Sequence, residues 1–368
     1  MREIKFNDIT DPFLDYNKVK KNISKVVMKK NFILGKEVYE LEKKLSKYVG
    51  SKFCVTTSSG TDALLIALMS LNLKKGSEVI TPAFSYVSSA EVILRLGLKP
   101  IFVDIDQDTA LIDTNKIKNK ITKKTSCIIV VSLFGQIPNV AELIKIKKQY
   151  NLPIIEDAAQ SFGAKYKNKK SCNIFNIGCT SFFPTKLLGG FGDGGALFTN
   201  NKVLAKKFLQ IRQHGQKKKY YFDRLGLNAR LDTIQASILL EKINKFDERI
   251  KKRKLLFNKY KKKLKKIKEI KLLIPKKNYS SCFPSLNIIS YKRDKLKKYL
   301  FKNKIPTYIY YPLSLTDQKI FKVEKKPNSS PISKRVANKI LSLPFHLNLL
   351  DNQINYIVDK IERFYSTK

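Results

Sequence analysis

Lys186 stands between a short apolar run and a cluster of glycines in the stretch Gly178–Gly195. Pro184 disfavours continuing a regular strand, and the glycines permit tight turns close to a ligand. A lysine held in such a turn is either a solvated loop charge or a reactive amine. The chain has 73 Lys and Arg among 368 residues, so residue type alone cannot separate these two interpretations.

A second stretch, Leu152–Ser161, is an apolar strand that ends in two carboxylates and an amide. Open α/β sheets place their ligands at such strand ends. Asp157 is the candidate carboxylate for a ligand, although a buried Asp that caps the following helix is the alternative. We interpret Glu156 as structural. Gln160 lies one turn beyond Asp157 and could face the same ligand.

A third stretch, Val55–Leu65, has the pattern of a strand, a Ser/Gly/Thr turn and a helix. The free N–H groups and hydroxyls at such a helix start hold phosphate. Gly60 and Thr61 would bind phosphate through an N–H and a hydroxyl, and Ser181 would add a second hydroxyl. Ordinary turn and cap chemistry is the alternative for all three residues.

Taken in order, a phosphate cradle, a carboxylate at a strand end and an isolated lysine predict a pyridoxal 5'-phosphate site. Asp157 would pair with the pyridinium nitrogen, and Lys186 would form the Schiff base and then act as general acid and base. Gln160 could reach the phenolic oxygen of the cofactor. Phe84 follows a strand end and could stack on the cofactor ring, with packing in the core as its alternative.

The chain resembles the sugar aminotransferases of the DegT/DnrJ/EryC1/StrS family, a branch of the fold-type I pyridoxal phosphate enzymes. The matching pieces are SSGTDALLIAL, TPAFSYVSSAE, VSLFGQ, IIEDAAQSFGA, TSFFPTKLLGGFGDGGA, RQHGQ, GLNARLDTIQA and SLPFH. The resemblance implies an α/β fold with a mostly parallel seven-stranded sheet between helices and a smaller C-terminal α+β domain. Lys186 excludes the dehydratase branch of the family, which lacks the Schiff-base lysine.

Within the family, the chain is most similar to enzymes that aminate the third ring carbon of a nucleotide-linked 3-keto hexuronic acid. Asn228 matches an asparagine that reaches the phosphate from the neighbouring subunit, which implies a homodimer with shared active sites. Arg230 would grip a substrate carboxylate or diphosphate, with a surface ion pair as its alternative. His214 resembles a residue on the substrate side.

One motif departs from this subfamily. Where those enzymes tend to show His-Tyr-Pro, this chain has Tyr310-Tyr311-Pro312. A tyrosine donates a hydrogen bond but carries no positive charge at neutral pH. We expect Tyr310 and Tyr311 to contact the substrate, and the departure weakens the uronic acid assignment.

The elements that position these residues follow a βα rhythm, which predicts a mostly parallel sheet covered on both faces. The predicted strands are 53–57, 78–82, 100–104, 127–133, 152–156, 179–183 and 195–199, and the last is a candidate for antiparallel pairing. Predicted helices cover 61–72, 86–96, 139–149, 202–213, 232–265 and 352–365, and a helix ends at Gly50. We expect a basic, aromatic loop at 215–226. A large cofactor-binding domain with an N-terminal arm would cover 1–250, and a small domain 251–368.

Composition narrows the class of protein further. No apolar run reaches the ~20 residues that a membrane helix needs, and the N-terminus has no apolar signal core. Five scattered cysteines suit reduced thiols in the cytoplasm, and two distant histidines argue against a metal site. The net charge of +43 favours acidic partners, but the lysines are spread over the whole chain, so we expect no nucleic-acid function.

The sequence therefore predicts a nucleotide-sugar aminotransferase with glutamate as the amino donor. The expected substrate is UDP-2-acetamido-2-deoxy-3-keto-glucuronic acid, and the expected role is the synthesis of surface polysaccharide such as lipopolysaccharide O-antigen. Alternatives are amination of a 3-keto-6-deoxy or 4-keto sugar on a dTDP or UDP carrier, and a non-catalytic regulator that binds pyridoxal phosphate.

Overall fold

The computed structural model describes residues 3–322 and 329–366. Its centre is a seven-stranded sheet of β1 (Phe53–Thr57), β2 (Glu78–Pro82), β3 (Lys99–Val103), β4 (Thr125–Val131), β5 (Ile154–Asp157), β6 (Ile177–Ser181) and β7 (Gly195–Thr199). The strands lie in the order β1-β7-β6-β5-β4-β2-β3. All neighbours pair in parallel except β7, which runs antiparallel to both β6 and β1. The predicted mostly parallel sheet is confirmed.

The sheet strands are nearly continuous apolar runs because helices cover both faces. The helices of the first 264 residues are Tyr16–Lys29, Lys36–Val49, Gly60–Ser70, Ser88–Arg95, Val140–Tyr150, Lys202–Ile211, Thr233–Lys242 and Phe246–Leu264. Short 3-10 turns lie at Thr114–Lys116, Lys118–Lys120, Leu133–Gly135 and Ile243–Lys245. The helix Gly60–Ser70 is apolar around most of its circumference because it is enclosed by the fold.

The C-terminal part has its own sheet of β8 (Ile270–Leu272), β9 (Leu286–Ser290) and β10 (Ile340–Leu343), in the order β8-β9-β10. Its helices are Arg293–Lys302, Pro331–Lys339 and Asp351–Ser366, with 3-10 turns at Leu315–Asp317 and Lys319–Phe321. Helix Phe246–Leu264 crosses the predicted boundary at residue 250 and packs into both parts, since Phe246 lies in the large core and Leu256 in the small one. The division at 250 stays a prediction.

Two local expectations differ from the structure. The segment 215–226 is not a simple loop, because Gln216–Lys218 and Tyr221–Phe222 pair as a short hairpin. Helix Tyr16–Lys29 was not predicted; only Val19 and Val26 of this helix are buried, so its apolar stripe is narrow. Further short strands are Lys165–Tyr166, Lys169–Lys170 and Tyr279–Ser280, which form one small sheet.

The N-terminal arm, residues 3–11, crosses from the small core to the large part of the chain. Ile4 is buried among the side chains of the small core. Farther along the arm, Asp11 makes a buried ion pair with Arg249, in which Oδ2 and Nε are 2.6 Å apart. None of the helices within 3–322 and 329–366 combines the length and apolar character needed to cross a bilayer.

Candidate active site

A cavity of about 470 Å³ opens at the carboxyl ends of the parallel strands, next to the start of helix Gly60–Ser70. The residues that line it include Phe6, Asn7, Ser59, Gly60, Thr61, Ser85, Tyr86, Ser88, Asp157, Gln160, Ser181, Lys186, Asp193, Cys282, Tyr310 and Tyr311. Most of the residues predicted from the three sequence stretches thus meet in one place.

Lys186 reaches the cavity from the connection between the antiparallel strands β6 and β7. Its backbone N–H donates to Phe183 O at 2.8 Å, which closes a tight turn. Gly189 packs directly on the carbonyl oxygen of Pro184, so a side chain at residue 189 would clash. Burial lowers the pKa of the Lys186 amine, and the charge of Asp157 opposes that shift. A lowered pKa increases the neutral fraction that nucleophilic attack requires.

Asp157 is the last residue of β5, and its side chain is buried with 7% of its surface exposed. Its Oδ1 accepts a hydrogen bond from Ala159 N at 3.1 Å. Burial raises the pKa of this carboxyl, while that hydrogen bond and the charge of Lys186 oppose the rise. A buried carboxylate without a fixed cationic partner is suited to pair with a positively charged ring nitrogen.

The phosphate cradle lies at the N-terminus of helix Gly60–Ser70. Ser59 caps this helix by accepting a hydrogen bond from Asp62 N at 3.0 Å. A β-carbon at Gly60 would come within 2.7 Å of the Ser181 β-carbon, so glycine alone lets β6 approach the helix start. Thr61 Oγ1 lies 2.8 Å from Ser88 Oγ. The site therefore gathers free helix N–H groups and the four hydroxyls of Ser59, Thr61, Ser88 and Ser181, a favourable set for a phosphate.

Gln160 is held from two sides. Its Oε1 accepts from Phe134 N at 3.0 Å, and its Nε2 donates to the Tyr311 hydroxyl at 3.0 Å. Burial raises the pKa values of both Tyr310 and Tyr311, so these phenols stay protonated and can donate hydrogen bonds. The small C-terminal part thus contributes two tyrosines to the wall of the cavity.

The predicted stacking residue Phe84 is not among the residues that line the cavity. It is 1% exposed and packs in the core with Val131 and Leu133. Tyr86, two residues later, lines the cavity instead and is 58% exposed, with its ring 6.1 Å from the Tyr311 ring. The structure therefore places Phe84 in its alternative role, core packing, because a large apolar ring gains more from burial there. Tyr86 could have been identified from the sequence, because it lies in the same motif as Phe84, TPAFSYVSSAE.

Asn228, Arg230 and His214 do not line this cavity in the same chain. Asn228 is exposed and forms an isolated backbone bridge with Gln213. His214 is also exposed and has a positive φ of 61°. Arg230 is partly buried, yet it makes no hydrogen bond or ion pair with the residues that the structure describes. These three side chains are thus free to serve another partner.

A parallel sheet that ends in a buried lysine, a buried carboxylate and a phosphate cradle defines a fold-type I aminotransferase. Residues 15–362 match the DegT/DnrJ/EryC1/StrS aminotransferase family. The chain belongs to that family, and it is a pyridoxal phosphate-dependent sugar aminotransferase.

Several individual proteins are similar over nearly the whole chain. "UDP-2-acetamido-2-deoxy-3-oxo-D-glucuronate aminotransferase" of Pseudomonas aeruginosa is 42% identical and covers 90% of this chain and 91% of its own. "Pleiotropic regulatory protein" of Geobacillus stearothermophilus is 39% identical, with coverage of 96% and 98%. Among solved structures, a DegT DnrJ EryC1 StrS aminotransferase from Brucella abortus is 34% identical with a TM-score of 0.91, covering 97% of this chain and 100% of that one.

The cofactor of this enzyme is pyridoxal 5'-phosphate. A solved structure of "ntda from bacillus subtilis with bound cofactor pmp" is 27% identical, has a TM-score of 0.93, and covers 100% of this chain and 86% of that one. Here the Gly60 cradle would hold the phosphate, Asp157 the ring nitrogen and Lys186 the aldehyde carbon. When bound, the cofactor supplies an electron sink for amino-group transfer. The Lys186 amine would move protons at the carbon that carries the amino group.

Proposed function

We propose that this enzyme converts the 3-keto group of UDP-2-acetamido-2-deoxy-3-keto-glucuronic acid to an amino group. L-Glutamate would be the donor, and the product would serve surface polysaccharide such as lipopolysaccharide O-antigen. The observation that carries the proposal is the 42% identity, over nine tenths of both chains, to an aminotransferase named for that substrate. The buried, free state of all five cysteines agrees with a role in the cytoplasm.

The direct test is a screen of 3-keto and 4-keto nucleotide sugars with glutamate, in which formation of 2-oxoglutarate is measured. We expect the 3-keto uronic acid to have the highest kcat/KM. A preference for a 6-deoxy sugar would contradict the proposal. It would favour the second candidate, since "dTDP-3-amino-3,6-dideoxy-alpha-D-galactopyranose transaminase" of Aneurinibacillus thermoaerophilus is 33% identical over 98% of this chain. No turnover with any keto sugar would favour the regulator that the Geobacillus relative's name suggests.

We further propose a homodimer in which each active site contains residues of both chains. Among the described residues that line the cavity, Lys186 is the one lysine and there is no arginine. A nucleotide sugar carries a diphosphate, and a desolvated anion without a cationic partner is costly. The missing cations must therefore come from outside the cavity wall.

The segment around Asn228 and Arg230 is suited to supply them. It follows the hairpin described above, whose Tyr220 is 76% exposed and whose neighbour Leu225 is 87% exposed. Contiguous exposed apolar side chains mark a surface that binds another protein. A second copy of the chain is the occupant that would also bring Asn228 and Arg230 to a cavity.

Mixing two inactive variants tests the shared site. Lys186→Ala and Asn228→Ala chains should each be nearly inactive, whereas hybrid dimers should regain activity because one of their two sites contains neither substitution. Turnover is measured after the two variants are unfolded and refolded together, with each variant refolded alone as the control. A fully active monomer in sedimentation experiments would contradict the proposal.

Arg230 is the residue that we propose binds the sugar carboxylate. Its planar guanidinium can grip a carboxylate with two hydrogen bonds, and no described side chain pairs with it. Tyr310 holds the position where related enzymes have a histidine, so it can donate a hydrogen bond but no charge. Arg230 would therefore carry the charge recognition alone.

Arg230→Leu should lose about 2–4 kcal/mol more catalytic efficiency on the uronic acid than on its uncharged 6-hydroxy analogue. The measurement is kcat/KM for both substrates in wild type and variant. Arg335→Leu is the control, since Arg335 is an exposed arginine on helix Pro331–Lys339. Equal losses on the two sugars would show that Arg230 serves the diphosphate or the fold.

A further inference from the structure

A second, smaller cavity lies beside Lys186, on the side of the N-terminal arm. Its volume is about 40 Å³, and arm residues 7–11 and loop residues 184–187 line it. Its remaining wall contains three basic side chains from two successive helices, namely Lys242, Arg249 and Arg253. The mechanism described above uses none of these three.

Lys242 is the most unusual of the three. It is 5% exposed, and its amine makes no hydrogen bond or ion pair with the described residues. Its Nζ lies 5.7 Å from the centroid of the Phe191 ring. Burial lowers the pKa of Lys242 to about 8, and the charge of Asp11 opposes the shift. At neutral pH this amine is mostly charged and lacks a direct partner.

Each of the two arginines has a side-chain nitrogen without a hydrogen-bond partner among the described residues. Arg249 pairs with Asp11 through Nε and donates from one terminal nitrogen to the Lys242 carbonyl, but its second terminal nitrogen is buried without a partner. Arg253 donates to the carbonyls of Phe283 and Pro284, at 3.2 and 3.0 Å, while its Nε is buried and unpartnered. Both arginines are at least nine tenths buried.

The charges around this cavity do not balance. Lys186 also lines this cavity, but in the holoenzyme its amine would be bonded to the cofactor, so it is left out of the count. The three remaining cations face two carboxylates, those of Asp8 and Asp11. One positive charge therefore remains in a place that water reaches poorly, and such a charge is costly unless an anion neutralises it.

We propose that the small cavity binds one monovalent anion, a halide or a carboxylate the size of formate. A water molecule needs roughly 10–15 Å³ on this scale, so about 40 Å³ admits an ion of a few atoms. Lys242 and the unpartnered nitrogens of Arg249 and Arg253 would hold it. The inference rests on charge and volume, and it is independent of the sugar substrate.

The test compares the melting temperature of the holoenzyme in sodium bromide and in sodium gluconate at equal ionic strength. Gluconate is the larger reference anion. The bromide-minus-gluconate difference should be about 2 °C larger in wild type than in Lys242→Met when bromide is about tenfold above its Kd. A formate series distinguishes a carboxylate from a halide. Lys245→Met is the matched control, because Lys245 is exposed and pairs with Glu248 at 2.9 Å.

Lys245→Met should keep the wild-type difference. The proposal fails if wild type and Lys242→Met respond identically to both bromide and formate. If Lys242→Met does not fold, a bromide-soaked wild-type crystal decides: an anomalous peak within hydrogen-bond reach of Lys242 Nζ supports the site. A crystal with no bromide peak in the cavity, together with formate and gluconate melting temperatures that coincide, overturns it.

Discussion

Lys186→Ala is expected to reduce turnover by at least about 10⁴-fold. Lys186 is the one lysine among the described residues of the main cavity, and burial shifts it toward the neutral form. No other described residue that lines the main cavity is a lysine that could replace either its bond to the cofactor or its proton transfer. Turnover is measured with the keto sugar and glutamate, with Lys245→Ala as an exposed-lysine control that should retain wild-type activity.

The same residue can be identified without measuring activity. The purified protein should be yellow, with an absorption band at about 400–430 nm that Lys186→Ala lacks. Borohydride should then fix the cofactor to the protein, and peptide mapping should find the label on Lys186. A label on any other lysine would show that the assignment is wrong.

Asp157→Asn is expected to retain the cofactor but to lose about 10²–10³-fold in kcat. The substitution keeps the shape of the side chain, so the cradle at Gly60 should still hold the phosphate. An amide cannot stabilise a positive charge on the ring nitrogen, and this charge is what makes the ring accept electrons. Cofactor content is measured by absorbance and turnover by 2-oxoglutarate formation.

Glu156→Gln is the matched control for Asp157. The Glu156 carboxyl is also buried, but it points into a network in which Ser132, Ser171 and Cys172 N donate hydrogen bonds to it. We expect this variant to lose stability rather than kcat, because neighbours on a strand face opposite sides of the sheet. Turnover near wild type in Asp157→Asn would remove Asp157 from the mechanism.

Local patterns predicted most of the sheet. Strands 53–57, 78–82 and 195–199 occupy the predicted residues, and the other four differ by one or two residues at their ends. The antiparallel direction of the last strand followed from the short glycine-rich connection that precedes it. The hairpin at 216–222 could not be predicted in this way, since its exposed Lys and Tyr residues show no apolar alternation.

The meeting of the candidate site residues in one cavity was predictable, because each of them sits in a local motif with its own backbone geometry. Lys186, Asp157 and Gly60 all line the same cavity, as the order of the motifs indicated. The local sequence could not show which of Phe84 and Tyr86 lines the cavity, because tertiary packing decides which of the two rings is buried. Tyr310 and Tyr311 come from the distant C-terminal part, and only the family resemblance pointed to them.

The antiparallel strand β7 pairs with two strands, and the two pairings close loops of very different length. Each loop contains a different part of the site. Ser181 pairs with Gly195 across a short loop, so the turn that holds Lys186 can form from local contacts. Thr57 pairs with the same Gly195, and this pairing encloses most of the large domain. Closing the longer loop costs more entropy and is slower. We therefore expect the turn that contains Lys186 to form earlier in folding than the pairing of β1 with β7, so that the cofactor meets a complete site only when the sheet has closed.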